Sequence, residues 1–291
     1  DTDRTYTTMA ERLRGVERAV IPGFYGSMPN DTIRTFSRGG SDITGAIVAR
    51  ATGSDLYENW TDVSGVLMAD PRIVEDPEVI DIITYNELRE LSYMGATVLH
   101  EDAIFPVRLM GIPINIRNTN KPEDPGTMIV ASAEGAGKNV ITGIAGKPGF
   151  SSITIEKDMM NSEVGFTRKV LSALESEGIS FEHMPSGIDT LSIILATPVL
   201  EGKKERILRA ICDAVSPDSV FVEDSIALIA VVGRGMRSTK GTAARTLDAV
   251  ADAGINLVMI DQGSSELNII LGVKEADLQK TIAAIYDEFG R

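Results

Sequence analysis

The chain has 291 residues, 43% of them hydrophobic and 24% charged, enough for two or three packed domains. Its formal net charge of −14 comes with no basic run able to neutralise phosphates over a long footprint, which argues against nucleic acid as the main partner. The longest apolar runs, such as "SIALIAVVG" from Ser225 to Gly233, fall far short of the roughly 20 residues of a membrane helix, and "DTDRTYTTMAERLRG" has no signal-peptide pattern, so no membrane partner and a cytoplasmic location are expected.

In chain order, the first predicted strand is "VIPGFYG". It is followed by "SRGGSD", Ser37 to Asp42, just before an apolar helical pattern. Paired glycines let backbone N–H groups approach an anion, and a helix N-terminus adds about half a positive charge. The same six residues also suit a ligand-free turn closed by a serine or aspartate N-cap. Both readings stay open on local grounds. A strand "LYENWTDV", helices "TYNELRELSYMGATVLH" and "EDAIFPVRLMG" and a strand "IPINIRN" come next. This alternation predicts an α/β layer with a largely parallel sheet up to about Val130. Trp60 is expected in the core. His100, with no partner motif, reads as a structural histidine. The polar, Pro- and Gly-rich "NTNKPEDPGTMIVASAEGAGKN" reads as a link to another domain.

The remainder contains a repeat. Strand "FSSITIEK", helix "VGFTRKVLSALESEG", strands "ISFEHMP" and "TLSIILA", helix "KKERILRAICDAV" and strand "SVFVED" make one βαββαβ unit. The order restarts with "SIALIAVVG", "TKGTAARTLDAVADAG", "INLVMIDQ", "ELNIILGV" and "EADLQKTIAAIYDEF", and the second copy lacks its sixth element. "NVITGIAG", Asn139 to Gly146, is the segment available to complete that sheet, whose last edge would otherwise stay open. The expected segments are 1–130, an inserted unit at 150–224, and a second unit from 138–147 plus 225–291. Cys212, the one cysteine, is expected as a reduced core thiol.

"FSRGGSDITGAIVA", "WTDVSGVLMADPRIV", "GATVLH" and "IPINIRNTNKPEDPGT", in that order and followed by two interlocked βαββαβ modules, resemble aspartokinase with its paired ACT regulatory domains. The resemblance implies an α/β fold: a partial amino-acid-kinase α/β sandwich followed by two interlocked ferredoxin-like (βαββαβ) ACT domains. It implies phosphorylation of the L-aspartate side chain by ATP with Mg2+, giving 4-phospho-L-aspartate. In "SRGGSD", Arg38 would clamp the aspartate carboxylate, Gly40 and Ser41 would contact substrate, and Asp42 would orient the cationic groups that bind phosphate. Such parts suffice, because phosphoryl transfer needs positioning and charge neutralisation more than covalent chemistry. Thr61 and Asp62 would lie near the base and ribose and Arg72 near the phosphates, with Leu67, Thr97 and Val98 in the same nucleotide site. Locally, "TDVSG" and "ADPR" are also a β-turn and a helix start. No metal-ligating residues are implied.

Two features depart from the family pattern. Thr97 replaces the usual lysine of "GAKVLHP", with Glu101 in place of its proline, and the glycine-rich "KFGGTS" start is not in the sequence. The chain therefore reads as a carboxy-terminal fragment, expected to fold in its tandem half and not to turn over aspartate by itself. The alternative is a catalytically inactive regulatory fragment that binds an amino acid and dimerises. Its effector site is expected where "MMNSEVGF" faces "FEHMPSGID": Met160, Ser162, Glu163, Gly165, Phe166, Phe181, Glu182, Ser186 and Asp189. The N–H groups of a helix beginning near Val164 would take the effector carboxylate. Glu182 and Asp189, meeting across a dimer contact, favour lysine over threonine because lysine carries two ammonium groups. The local alternative makes the methionines core filler and the acids a solvated rim. The resemblance also implies a homodimer or larger assembly through the ACT domains.

Overall fold

A computed structural model of the chain describes residues 1–36, 39–96, 99, 101–133 and 139–290. Two compact units emerge: Asp1–Ala145 with Val231–Thr242 and Tyr286–Arg291, and Gly146–Ala230 with Ala243–Ile285. Among the described residues no helix is long and apolar enough to cross a membrane.

The first unit opens with α1 (Thr2–Leu13), the short strands β1 (Tyr25–Ser27) and β2 (Ile33–Thr35), and α2 (Gly40–Thr52). There follow β3 (Tyr57–Thr61), β4 (Ile82–Thr84), α3 (Tyr85–Tyr93), α4 (Glu101–Arg108), β5 (Ile114–Asn118) and β6 (Thr127–Val130). The sheet order is β3-β5-β6-β4. β3 runs parallel to β5, with Tyr57 beside Ile114 and Thr61 beside Asn118. β4 runs parallel to β6, whereas β5 and β6 are antiparallel.

β6 corrects the reading of residues 118–139 as a link. Behind "PEDPG" the run "TMIV" buries Thr127 and Ile129 completely, each at 0% exposure, and fills an interior position of the sheet. Trp60 is corrected too. β3 turns Asn59 inward at 8% exposure and Trp60 outward at 43%, where the Arg117 guanidinium lies 5.0 Å from the indole centroid.

In the second unit the elements are β7 (Gly143–Glu156), α5 (Phe166–Ser176), β8 (Thr190–Ala196), α6 (Lys204–Val215), β9 (Ser219–Val232), α7 (Thr242–Asp252), β10 (Met259–Asp261), β11 (Asn268–Lys274) and α8 (Leu278–Phe289), some of them running past its boundaries. Their sheet order is β10-β11-β9-β7-β8. β7 and β9 are 14 residues each and lie side by side, from Asp218 N–H donating to Glu156 O to Thr142 N–H donating to Val232 O. The repeats therefore share two long strands. Each strand carries a residue with positive φ midway, β7 at Gly149 (φ 94°) and β9 at Ser225 (φ 63°).

α5 and α6 bury Phe166, Val170, Ala173 and Leu174 and Ile207, Ile211 and Val215, the 3.6-residue stripes of core-facing helices, against Ile153, Ile155, Leu191, Ile193 and Leu195 of β7 and β8. Cys212, one residue past Ile211, is carried about 100° round α6 and is exposed, so it is not a core thiol. The expected strand "ISFEHMP" reduces to one isolated bridge at His183–Ile194, with a second at Ser186–Leu191 just beyond it. Pro185 has no N–H to extend the ladder.

Candidate functional site

α2 starts at Gly40, capped by Gly39 in the left-handed region (φ 60°) with no side-chain cap. Ser41 and Asp42 therefore lie inside the first helical turn and do not close it, which corrects the N-cap reading. The first-turn N–H groups lack intrahelical acceptors, and the dipole adds to their pull on an anion. Gly40 is buried because the chain folds back on it: a Cβ there would stand 2.7 Å from the Phe24 ring and 3.0 Å from Phe24 Cα. Phe24 N–H donates to Thr44 Oγ1 (3.1 Å), and the Thr44 hydroxyl donates to Gly40 O (2.6 Å).

Beneath this turn lies β3. Asn59 Nδ2 donates to Asp42 Oδ1 (3.1 Å) and to the Tyr57 hydroxyl (2.9 Å), and Tyr57 donates to the Asp42 main-chain carbonyl (3.2 Å). Burial pushes the Tyr57 phenol up to about 12; the Asn59 bond opposes that shift and the Asp42 charge adds to it. Tyr57 thus remains a proton donor across the physiological range. Neither Tyr57 nor Asn59 was singled out from sequence. The available signal was an asparagine inside a strand pattern, where it is a poor β-former.

At the end of β3 the Thr61 hydroxyl donates to Asp62 Oδ1 (3.2 Å), and Thr61 O accepts from Thr119 N–H (2.8 Å) and Oγ1 (2.5 Å). The "TDVSG" turn is pinned by Ser64 donating to Asp124 (2.6 Å) and accepting from Asn118 (2.9 Å). Leu67 is half-buried and bridges to Val79. Arg72 is exposed and folded onto its neighbour: Nε and Nη2 lie 3.0 and 2.6 Å from the Asp70 carboxylate oxygens. That bond holds the Asp70 carboxyl below its usual range. Thr61, Asp62 and Leu67 thus belong to one strand and the turn after it, while Arg72 lies in the next loop, already paired. Arg38, Thr97, Val98 and His100 lie outside the described residues, as does residue 138.

In the second unit, a turn of 3-10 helix at Met160–Ser162 leads to Gly165 (φ 80°), which caps α5 at Phe166, two residues later than the expected start near Val164. Asn161 N–H donates to Ile188 O (3.1 Å) and Lys157 N–H to Asp189 O (2.9 Å), so this loop lies against the Asp189 end of the facing segment. Met160 and Phe166 are buried; Ser162, Phe181, Ser186 and Asp189 are exposed. Glu163 sits between Lys157 (2.6 Å) and Lys169 (2.5 Å), whose bonds, that to Lys157 first, hold its carboxyl below the usual range. Glu182 pairs through its backbone with Ile194, at the far end of β8. Five strand residues, about 17 Å, separate that point from Asp189, too far for one small ligand within a single chain.

Residues 1–118 match the amino acid kinase family and residues 229–289 an ACT domain. Aspartokinase 3 of Bacillus subtilis (strain 168) is 45% identical over 280 residues, 96% of this chain and 62% of that protein. The crystal structure of Clostridium acetobutylicum aspartate kinase superposes with a TM-score of 0.92 at 54% identity, covering 99% of this chain and 67% of that one. Escherichia coli aspartokinase III has been solved in complex with aspartate and ADP (R-state), where the likeness is 26% identity, TM-score 0.76, and 99% and 65% coverage. It has also been solved with lysine and aspartate (T-state), at 25% identity, TM-score 0.74, and 100% and 64% coverage. The chain thus spans 62% of the length of the Bacillus relative.

Proposed function

The chain belongs to the aspartokinase family, and we propose that it carries the substrate end of that family's catalytic site together with its amino-acid-sensing part. The reaction is transfer of the γ-phosphoryl of ATP to the side-chain carboxylate of L-aspartate, giving 4-phospho-L-aspartate. The observation that carries this reading is the first turn of α2, whose N–H groups have no acceptor within the helix and no side-chain cap from Gly39, and whose Asp42 is held from β3. The family's aspartate and ADP complex in Escherichia coli supports the choice of ligands.

The acceptor is an acid with a pKa of about 4, already ionised at neutral pH, so the protein's task is to place it and offset its charge. Arg38 clamps the aspartate, Gly40 and Ser41 line it, and the α2 dipole offsets negative charge. Thr61, Asp62 and Leu67, with Thr97 and Val98, hold the nucleotide, and Arg72 reaches its phosphates after release from Asp70. Among the described residues no three His, Cys, Asp or Glu side chains cluster as a metal cage. Mg2+ bound with ATP would supply positive charge at the phosphates.

The segments are a kinase part at 1–130, a first ACT domain at 150–224 and a second from 138–147 plus 225–291. Lysine is the effector, supported by the lysine complex of the Escherichia coli relative. It sits at Met160, Ser162, Glu163, Gly165 and Phe166, with Phe181, Ser186 and Asp189 from the facing segment and Glu182 from a second copy. Calorimetric titration tests both sites. MgADP with aspartate is expected to bind, and to weaken measurably with Asp42→Ala; lysine is expected to bind, and to weaken with Asp189→Ala and Glu182→Ala. No MgADP binding would refute the first assignment, and threonine binding without lysine the second. Pairing of equivalent ACT edges makes the chain a dimer or larger, and a clean monomer by light scattering at micromolar concentration would refute that.

A further inference from the structure

We propose that Asn59, with Tyr57, is the positioning residue that sets the Asp42 carboxylate at the substrate end of α2, an assignment that rests on the proposed function of that turn. Asn59 is only 8% exposed, and its two amide hydrogens go to Asp42 Oδ1 (3.1 Å) and the Tyr57 hydroxyl (2.9 Å). Tyr57 closes the ring by donating to the Asp42 carbonyl (3.2 Å). The side chain and the backbone of one residue are therefore held from the same strand.

Stability alone does not call for this arrangement. Burying a primary amide is unfavourable unless its partners are kept, and Ile114 and Ile116 on adjacent β5 fill inward positions with apolar side chains at 0% exposure. Room for the ring is also specific. A Cβ on Gly45 would lie 2.6 Å from the Tyr57 hydroxyl, so α2 approaches β3 this closely because position 45 has no side chain. Errors of about 1 Å in placing a group at a reacting centre cost on the order of 100-fold, which gives the seat its functional value.

A double-mutant cycle in the full chain tests the assignment: Asn59→Leu, Asp42→Ala and the double variant, with Asn59→Asp as a near-isosteric second probe should the leucine variant fail to fold. Affinity for MgADP with aspartate is measured by calorimetry, and hydrogen exchange of amides 41–44 by mass spectrometry. Asn59→Leu is expected to weaken binding about tenfold, the worth of a bond to a charged group, and to speed exchange in the first turn of α2. In the Asp42→Ala background it adds nothing to the loss of affinity, while exchange keeps the part carried through Tyr57 to the residue 42 carbonyl. A full tenfold increment there would show that Asn59 does not act through Asp42 and would overturn the proposal, as would unchanged exchange in both Asn59 variants. Should the native chain bind neither MgADP nor aspartate, the functional reading of α2 fails by that result, and the exchange cycle still decides whether Asn59 holds the turn through Asp42.

Discussion

Arg234→Ala is expected to destabilise the first unit by about 3–5 kcal/mol, because it strips a buried carboxylate of its counter-ion. Glu87 is at 0% exposure. One of its oxygens accepts from Thr84 N–H (2.9 Å) and Oγ1 (2.7 Å), the capping box of α3, and the other from Thr142 Oγ1 (2.6 Å) and Arg234 N–H (3.0 Å). Arg234 Nη1 reaches both oxygens, at 3.0 and 2.8 Å, while its Nε donates to Ala133 O (3.1 Å). Burial pushes the Glu87 carboxyl up, but the bonds from Thr142, Thr84 and Arg234 together outweigh it and leave it below the usual range.

A depressed carboxyl contributes stability that is full above its unfolded value of about 4.3 and is lost as pH falls through the folded value. In Arg234→Ala the carboxyl rises instead, so the deficit is greatest at neutral pH and shrinks as acid neutralises Glu87. Trp60 is the one tryptophan and lies in the same unit, so its fluorescence in denaturant titrations at pH 7 and pH 5 reports the change. A loss under about 1 kcal/mol at pH 7, or a loss independent of pH, would contradict this account.

Gly126→Ala is expected to be at least as damaging. Gly126 has φ 72°, and a Cβ there would lie 1.8 Å from the carbonyl oxygen of Ile116 and 3.0 Å from its carbon, both rigid backbone. The β5–β6 pair must then part, undoing the placement of Asn118 and, through it, the Ser64 bond that pins the "TDVSG" turn. A loss above about 4 kcal/mol is expected, seen as insoluble expression or loss of the Trp60 transition. Gly111→Ala is the control: φ is 67°, but nothing stands within 4 Å of its Cβ position. It should cost only the left-handed penalty of about 1–2 kcal/mol. Equal losses in the two variants would show that conformation, not the clash, dominates at Gly126.

Local pattern determined much of this protein. The spacing of Phe166, Val170, Ala173 and Leu174, and of Ile207, Ile211 and Val215, is enough to place α5 and α6. The repeat of strand and helix order pointed to paired ferredoxin-like modules, and four ordered motifs to the family, because periodicity and short motifs are carried by residues near one another in sequence. Phase and partnership were decided only by the tertiary structure. Trp60 or Asn59 could equally have faced inward from β3 until the strand was set against α2 and β5, since a one-residue shift reverses every side chain. "TMIV" looked like part of a link because its partners, β4 and β5, supply what makes it an interior strand. Asn59 finds Asp42 across 17 residues and Arg234 finds Glu87 across 147. No local pattern encodes such pairs; buried polar groups must meet partners somewhere, and chain topology decides which ones.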